Sequence, residues 1–302
     1  MSSTTRSALA TYLIVAGSSL FFCSKGVFAK ASYAHGADPI EVLALRMGIA
    51  MPFFALVAWT SSRRAARLSG RDLCMLAGLG FIGYYVSSYV NFTGLQYVTV
   101  GLERIVLYTY PSLVLLGAAL VKKQPLRRGI VIGLAISYAG ILLAFAGEAG
   151  GRGGGTGETL LGVGLVFCSA VTYAGFITVS ADLTARLGAW RFTAFVVGFS
   201  CLFILAHYVL TRPLTALVSL PTTVYFNGIW LAVFGTVVPS FLLGIGLRRA
   251  GAQKFAVIGT VGPVATLILA WAVLGEIPNL AQLAGFILAL AGGLWVALQR
   301  TR

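Results

Sequence analysis

Acidic side chains are the scarcest feature of this chain. Its 302 residues hold eight Asp and Glu together, and charged residues of both signs make up 10% of the total, against about a quarter in soluble domains. That shortage excludes an ordinary water-soluble domain, and with 58% hydrophobic residues it leaves a polytopic membrane protein of all-helical class. Two histidines and four cysteines offer little to a metal. Cys23, Cys74, Cys168 and Cys201 lie in apolar runs, none in a CxxC pair or near a histidine at ligand spacing, so each reads as a small core residue rather than part of a disulfide framework or zinc site. HExxH, a nucleophile elbow and convergent acid pairs are all missing, which removes the usual forms of an intramembrane enzyme, and no cofactor is implied.

What is present is long apolar runs. A helix crosses hydrocarbon with about 20 residues, and counting on that basis predicts ten spans: 8–29, 39–59, 73–92, 99–121, 129–147, 159–180, 191–210, 225–247, 255–274 and 281–298. With the N-terminus placed inside, sixteen of the 22 bases fall in inner segments (around 63–71, 122–128, 186–191, 248–254 and both termini) and only Lys30, Arg152 and Arg212 in outer ones. The positive-inside rule then sets both termini in the cytoplasm of a cell whose inner membrane holds the chain, and it explains the net charge of +14 without nucleic acid. Ala29-Lys30-Ala31 resembles a signal-peptidase site, but the preceding run is long for a signal core, so the first helix is expected to be retained.

The chain also reads as one unit written twice, 152 positions apart. That offset pairs Gly83 with Gly235, Ser88 with Ser240, Gly94 with Gly246, Pro111 with Pro263, Gly133 with Gly285 and Gly140 with Gly292. Residues 1–147 form the first unit and 159–302 the second, joined by 148–158. This glycine-rich joint is expected to stay flexible; no GK[ST] ends it and no strand precedes it, so it is not a phosphate loop. Five spans per unit, an odd number, make the second unit enter the membrane from the opposite face. Such inverted repeats are a recurrent plan of secondary transporters, with substrate held near the midplane between the halves.

Lys25 ending the first span, Pro39 and Arg46 around the start of the second, the proline-bearing fourth and ninth spans, and Gly275-Glu276 leading into Pro278 together resemble the drug/metabolite transporter superfamily, specifically the ten-helix EamA-type exporters. One departure is plain: Lys123-Gln124 stands before Pro125 where the first copy usually has Gly-Glu. The resemblance implies two five-helix halves around a central cavity, with the fifth and tenth helices peripheral. Gly129, Gly133, Gly285, Gly292 and Gly293 suit their close packing.

Candidates for function come from three groups. Pro52, Pro111, Pro239 and Pro263 lie inside spans and free a carbonyl one turn earlier; the matched Pro111 and Pro263 read as hinges, the alternative being static kinks. Tyr84, Tyr85, Tyr108 and Tyr173 fall too deep for an interfacial aromatic belt and read as a substrate-binding set with Tyr89 and Ser88; Tyr85 and Tyr89 share one helix face, Tyr84 and Ser88 another. Among charges, Glu103, Arg46 and Lys25 read as coupling or substrate groups, joined with Arg104 and Glu41 in an outer-leaflet network; blander roles are neutralisation of Arg104 and snorkelling. Glu276, Trp230 and Trp271 read as interfacial, and His207 as structural. The expectation is a secondary-active or facilitative transporter, monomeric or homodimeric, that exports small organic metabolites by alternating access, with amino acids including aromatic ones as the first guess and proton coupling as an option. Drug efflux, sugar or nucleotide-derivative transport and a channel remain open.

Overall fold

Hydrocarbon offers the backbone no hydrogen-bond partner, so a chain that crosses it must satisfy its N–H and C=O groups within helices or a closed barrel. A computed structural model describes residues 17, 20–63, 67–122, 127–151, 155–240, 242 and 261–299, and these contain helices and no strand. In order they are α1 (20–33), α2 (Pro39–Arg63), α3 (Gly70–Gly94), α4 (Val100–Leu107 and Tyr110–Lys122), α5 (Arg128–Gly151), α6 (Gly155–Leu187), α7 (Ala189–Thr211), α8 (Thr222–Ser240), α9 (Val261–Leu274) and α10 (Leu280–Gln299). A short helix, Leu214–Val218, precedes α8. Seven of them, α2 to α8, are long and apolar enough to cross a membrane; the stretches Gly262–Leu274 and Leu280–Val296 are apolar but shorter. Of the expected first span, residues 8–16, 18 and 19 lie outside the described residues, as do 241 and 243–247 of the eighth and 255–260 of the ninth.

Local chemistry sets the helix starts. Asp38 and Glu41 form a capping box on α2, each side chain accepting from the other's backbone N–H at 2.9 Å, and Pro39 occupies the first turn where no N–H is needed. Ser69 caps α3 by accepting from the N–H of Asp72, and Thr99 caps α4 by accepting from that of Leu102. Gly188, with φ of +80°, makes the tight corner from α6 to α7. Gly275, with φ of +66°, turns the chain sharply off the end of α9. The glycine-rich stretch is not the loop expected of it. Helix α5 runs through Gly147 and Glu148 to Gly151 and α6 begins at Gly155, so only 152–154 lie outside the described residues. Contacts with α10 and the start of α4, Gly147 against Asn279, Ala281 and Gln282 and Glu148 on Thr99, offset the entropy that glycine loses in the last turns of α5.

Glycine decides the packing of α5 on α10. A Cβ on Gly140 would sit 2.4 Å from the nitrogen of Ala289 and 2.6 Å from the oxygen of Gly285; one on Gly292 would sit 2.4 Å from the nitrogen of Ser137 and 2.5 Å from the oxygen of Gly133. Gly147 lies against Asn279, Ala281 and Gln282. Numbering rises along α5 as it falls along α10, so the two helices are antiparallel, with backbones as close as small residues allow. Partners swap under the 152-residue offset: Gly133 meets Gly292 and Gly140 meets Gly285, while Ser137, whose counterpart is Ala289, donates to that residue's carbonyl at 3.2 Å. Gly293, expected in this seam, has open space around it.

Helices α2 and α7 form a second antiparallel pair of matched elements. Asp38 binds Arg212 at 2.6 and 2.8 Å at one end, and Cys201 Sγ lies 3.8 Å from Met47 Sδ further in. Two further contacts are exchanged between the units. Helix α6 packs on α3 through Gly162 against Gly94 and Ser169 against Ser87, and α1 packs on α8 through Asn227 to Ser32 and Trp230 to Ser24. Trp230 therefore stacks between Phe28 and Phe234 inside this seam and is not a belt residue. Cys23 and Cys201 are buried as expected, but Cys74 and Cys168 are exposed on the apolar outside.

Because the α5–α10 seam leaves no room for a side chain, Gly292→Leu should lower stability by about 3 kcal/mol through overpacking. Gly293→Leu, one position on and facing open space, should change it by less than about 1 kcal/mol. Thermal unfolding in detergent, followed by tryptophan fluorescence, measures both.

Candidate functional site

Charged side chains are costly within hydrocarbon, about 2.5–3.5 kcal/mol each at a helix centre on insertion scales, so where this chain buries them matters. Glu103 is 1% exposed, Arg46 4% and Arg104 5%. Glu103 and Arg104 lie on the first segment of α4, Lys25 on α1, Arg46 on α2, Asn91 and Phe92 on α3, and Thr236 on α8. Asn91 Nδ2 donates to Glu103 Oε1 at 2.8 Å, and Glu103 Oε2 lies 3.8 Å from Arg104 Nε. Gly26 is what lets α1 approach this pair, since a Cβ there would be 3.3 Å from Glu103 Oε2. Arg46 Nε donates to Thr236 Oγ1 at 2.7 Å, and that hydroxyl donates in turn to the Leu231 carbonyl at 2.9 Å. The Phe92 ring serves two cations, with Lys25 Nζ 5.8 Å and Arg46 Cζ 5.5 Å from its centroid.

The helix that supplies Thr236 is not regular. Val233–Val237 is a π-helical turn, and Phe81–Val86 of α3 is another at the matched position of the first unit. A π-turn shifts the register of its carbonyls and is frequent at functional sites. In α8 the hydroxyl of Thr236 fills the place thus opened and presents its acceptor side to Arg46. By the offset, Thr236 is the counterpart of Tyr84, which lies in the first π-turn.

The expected tyrosine set is divided by α3. Tyr85 and Tyr89 lie on the α7 side, where the Tyr85 hydroxyl pairs with His207 Nδ1 at 3.2 Å and both rings meet the imidazole edge-on. Tyr84 faces the other way, edge-on to Phe176 of α6 at 5.3 Å, and from Phe176 a chain of rings runs through Tyr173 and Tyr110 to Tyr108. Ser88 is buried on α3. Pro111 follows a break in α4 at Tyr108 and Thr109, directly after the segment holding Glu103 and Arg104. Pro263 is buried in the first turn of α9, and the residues before 261 lie outside the described residues.

Glu41 does not join the charged network; the capping box at the start of α2 holds it. Two other acids gather at the start of α4. Glu148 accepts from the N–H and hydroxyl of Thr99 and from Gln282, and Glu276 accepts from the N–H of Val100 at 2.9 Å while pairing with Lys30 at 2.9 Å. The positive end of a helix dipole with unsatisfied N–H groups favours carboxylates there. Glu276 is held by this end of α4 and by Lys30, with its side chain 15% exposed, rather than standing free at the interface. A cavity of about 310 Å³ opens beside it, bounded by Thr99, Glu148, Glu276 and Gln282.

Asn91, Thr236, Tyr110 and Glu148 were not anticipated. Asn91 is signalled by its amide, unusual in an apolar span, and Thr236 by its match to Tyr84. Glu148 was hidden by the glycines around it. Among the described residues no group of His, Cys, Asp and Glu is placed to hold a metal ion.

Comparison with known proteins gives a consistent picture. The sequence profile of the EamA-like transporter family matches residues 9–146 and again 160–298. The chain is 28% identical over 290 residues to the uncharacterized transporter YcbK of Bacillus subtilis, covering 93% of this chain and 90% of that protein. It is 25% identical over 286 residues to an uncharacterized transporter of Synechocystis, covering 85% and 84%. A crystal structure superposes with a TM-score of 0.64 at 19% identity, over 96% of this chain and 97% of that one, and so has the same fold.

Removing the acceptor beneath Arg46 should be costly, because a hydrogen bond to a charged group contributes about 1.5–3 kcal/mol. Thr236→Val should lose stability in that range, whereas Thr236→Ser, which keeps the hydroxyl, should lose less than half as much. Paired melting curves of the two variants decide it.

Proposed function

We propose, from the premise that this chain belongs to the EamA-like transporter family, that it is a secondary-active or facilitative carrier exporting small organic metabolites by alternating access, with amino acids including aromatic ones as the first substrates to try. The chain is a multi-pass membrane protein whose relatives are named as transporters. The observation that carries the rest is the antiparallel packing of matched helices, α2 on α7 and α5 on α10, with partners that exchange under the 152-residue offset. Such packing supports two five-helix units of opposite orientation, ten spans in all, both termini in the cytoplasm and the chain in the inner membrane. Carriers built on that plan rock one unit against the other around a midplane site.

In this reading the network of Lys25, Arg46, Glu103 and Arg104 is the substrate or coupling site, because Arg46, Glu103 and Arg104 are buried, Lys25 is half-buried beside them, and the four converge from α1, α2 and α4. The broken stretch before Pro111 is one hinge and the matched Pro263 the other, so that the second segment of α4 swings while the first holds Glu103. Tyr84 of α3, Tyr108 at the break in α4 and Tyr173 of α6 line the substrate's aromatic side between α3 and α6, and Tyr85, Tyr89 and Ser88 are further substrate-binding candidates of α3, the first two on its α7 face. Glu103 exchanges the coupling proton, with Asn91 steadying its carboxylate.

Orientation is tested with a cysteine-free background and a membrane-impermeant thiol reagent on intact cells. Ser219→Cys should label from outside and Ser69→Cys only after permeabilisation; both labelling from one side would overturn the topology. Transport is tested with purified chain in liposomes and labelled amino acids. Uptake driven by a pH gradient is expected, and Glu103→Gln should abolish the pH dependence while leaving exchange of substrate. No movement of any amino acid, with or without the gradient, would sink the substrate assignment.

A further inference from the structure

The chain holds eight side-chain carboxylates, and the structure describes all eight residues. Asp38 binds Arg212, and Asp72 binds Arg186. Glu41 is in the α2 capping box, Glu148 accepts from Thr99 and Gln282, and Glu276 pairs with Lys30. Glu158 and Asp182 are exposed on α6. Only Glu103 remains for the interior, and it faces Arg104 and Asn91. Glu103 is within electrostatic reach of Lys25 as well, but this one carboxylate cannot balance Lys25, Arg46 and Arg104 together. Lys25 and Arg46 face the same aromatic ring with no ion pair of their own among the described residues. The one side-chain acceptor bound by Arg46, Thr236 Oγ1, is neutral, and Arg46 Nη1 is buried with no hydrogen-bond partner.

Arg46 is buried and Lys25 half-buried, and charges so placed are ordinarily paired, since an uncompensated buried one costs several kcal/mol. Packing does not explain these. At the matched positions of the second unit, Lys25, Arg46, Asn91, Glu103 and Arg104 are replaced by Ile177, Gly198, Leu243, Phe255 and Ala256. Equivalent helices in the same repeat thus do without every one of these polar groups.

We infer that the missing counter-charge arrives with the ligand: the site between α1, α2 and α3 takes a small organic anion, its carboxylate held by Lys25 and Arg46 and its carbon body against Phe92. This rests on the carrier reading above and narrows its substrate to carboxylate-bearing molecules. Arg46 supplies the geometry, because the fork of a guanidinium matches a carboxylate and its free Nη1 is one tine. The Phe92 ring and the apolar Met47 and Cys201 nearby on α2 and α7 favour an organic body over a hydrated inorganic ion.

The test is binding by the purified full-length chain in detergent at fixed ionic strength, read by calorimetry and by thermal shift. Benzoate, succinate and phenylalanine are compared with benzamide, succinamide and phenylalaninamide, their counterparts without a carboxylate, and with phosphate and chloride. At least one carboxylate should bind saturably and raise the melting temperature, while its amide and the inorganic anions at equal concentration do not. Arg46→Gln should weaken that binding about 10- to 100-fold, the loss of one charge-assisted hydrogen bond; Lys25→Gln, on a different helix, serves if the first variant does not fold. The inference is overturned if no carboxylate binds, if the amides or phosphate bind as well as the acids, or if the variant that folds binds like the parent chain. Liposomes that carry a neutral or cationic solute while no carboxylate binds would keep the carrier and remove the anion site. Carboxylate binding that depends on Arg46, in a chain that moves nothing, would keep the site and remove the carrier.

Discussion

Below the headgroups a polar group has no water to fall back on, and every feature of this molecule that is not an apolar helix answers that constraint. Helix beginnings are the clearest case. The start of α4 is capped from three directions at once, by its own Thr99, by Glu148 from the end of α5 and by Glu276 from the end of α9. Its first turn then buries a charged pair, Glu103 and Arg104, which stays neutral in sum and is steadied by Asn91. With so few acids available, six of the eight are tied to a helix terminus, a cation or a buried amide, and only Glu158 and Asp182 stand exposed on α6. The Gly275 turn has a role in this economy: a left-handed residue ends α9 abruptly and so aims the next side chain, Glu276, at α4 and Lys30.

The helices were legible because apolar runs and their breaks survive without any tertiary context. The spacing of Pro111, Pro263 and the paired glycines announced a duplication, and the family profile matches twice at nearly the same offset. What eluded the sequence was direction. Tyr84 and Tyr85 read as members of one set, yet neighbours on a helix point about 100° apart, and the structure sends one toward Phe176 and the other toward His207. Glu41 looked close to Arg46 in depth, but a local capping box competes more strongly for it than a distant cation. The glycines around Glu148 argued for a loop by intrinsic propensity, which the contacts of Gly147 and Glu148 with α10 and α4 override.

Symmetry and its breach divide the labour of the molecule. Where matched helices meet, α5 with α10 and α2 with α7, small residues and reciprocal contacts hold the two units together. Where charge is concentrated, the second unit contributes one hydroxyl, Thr236, to a network otherwise drawn from the first. The two units share a frame, and the network of Arg46, Glu103 and Arg104 sits almost wholly in the first.

The two π-helical turns carry a historical reading. A π-turn holds one residue more than the α-helix around it, so it marks a single-residue insertion, and here Phe81–Val86 and Val233–Val237 occupy the same place in both units. Two separate insertions at one matched site are a poorer explanation than one ancestral event. The extra residue is then older than the doubling of the gene. A unit half this length already possessed the widened turn before the positions of Tyr84 and Thr236 diverged.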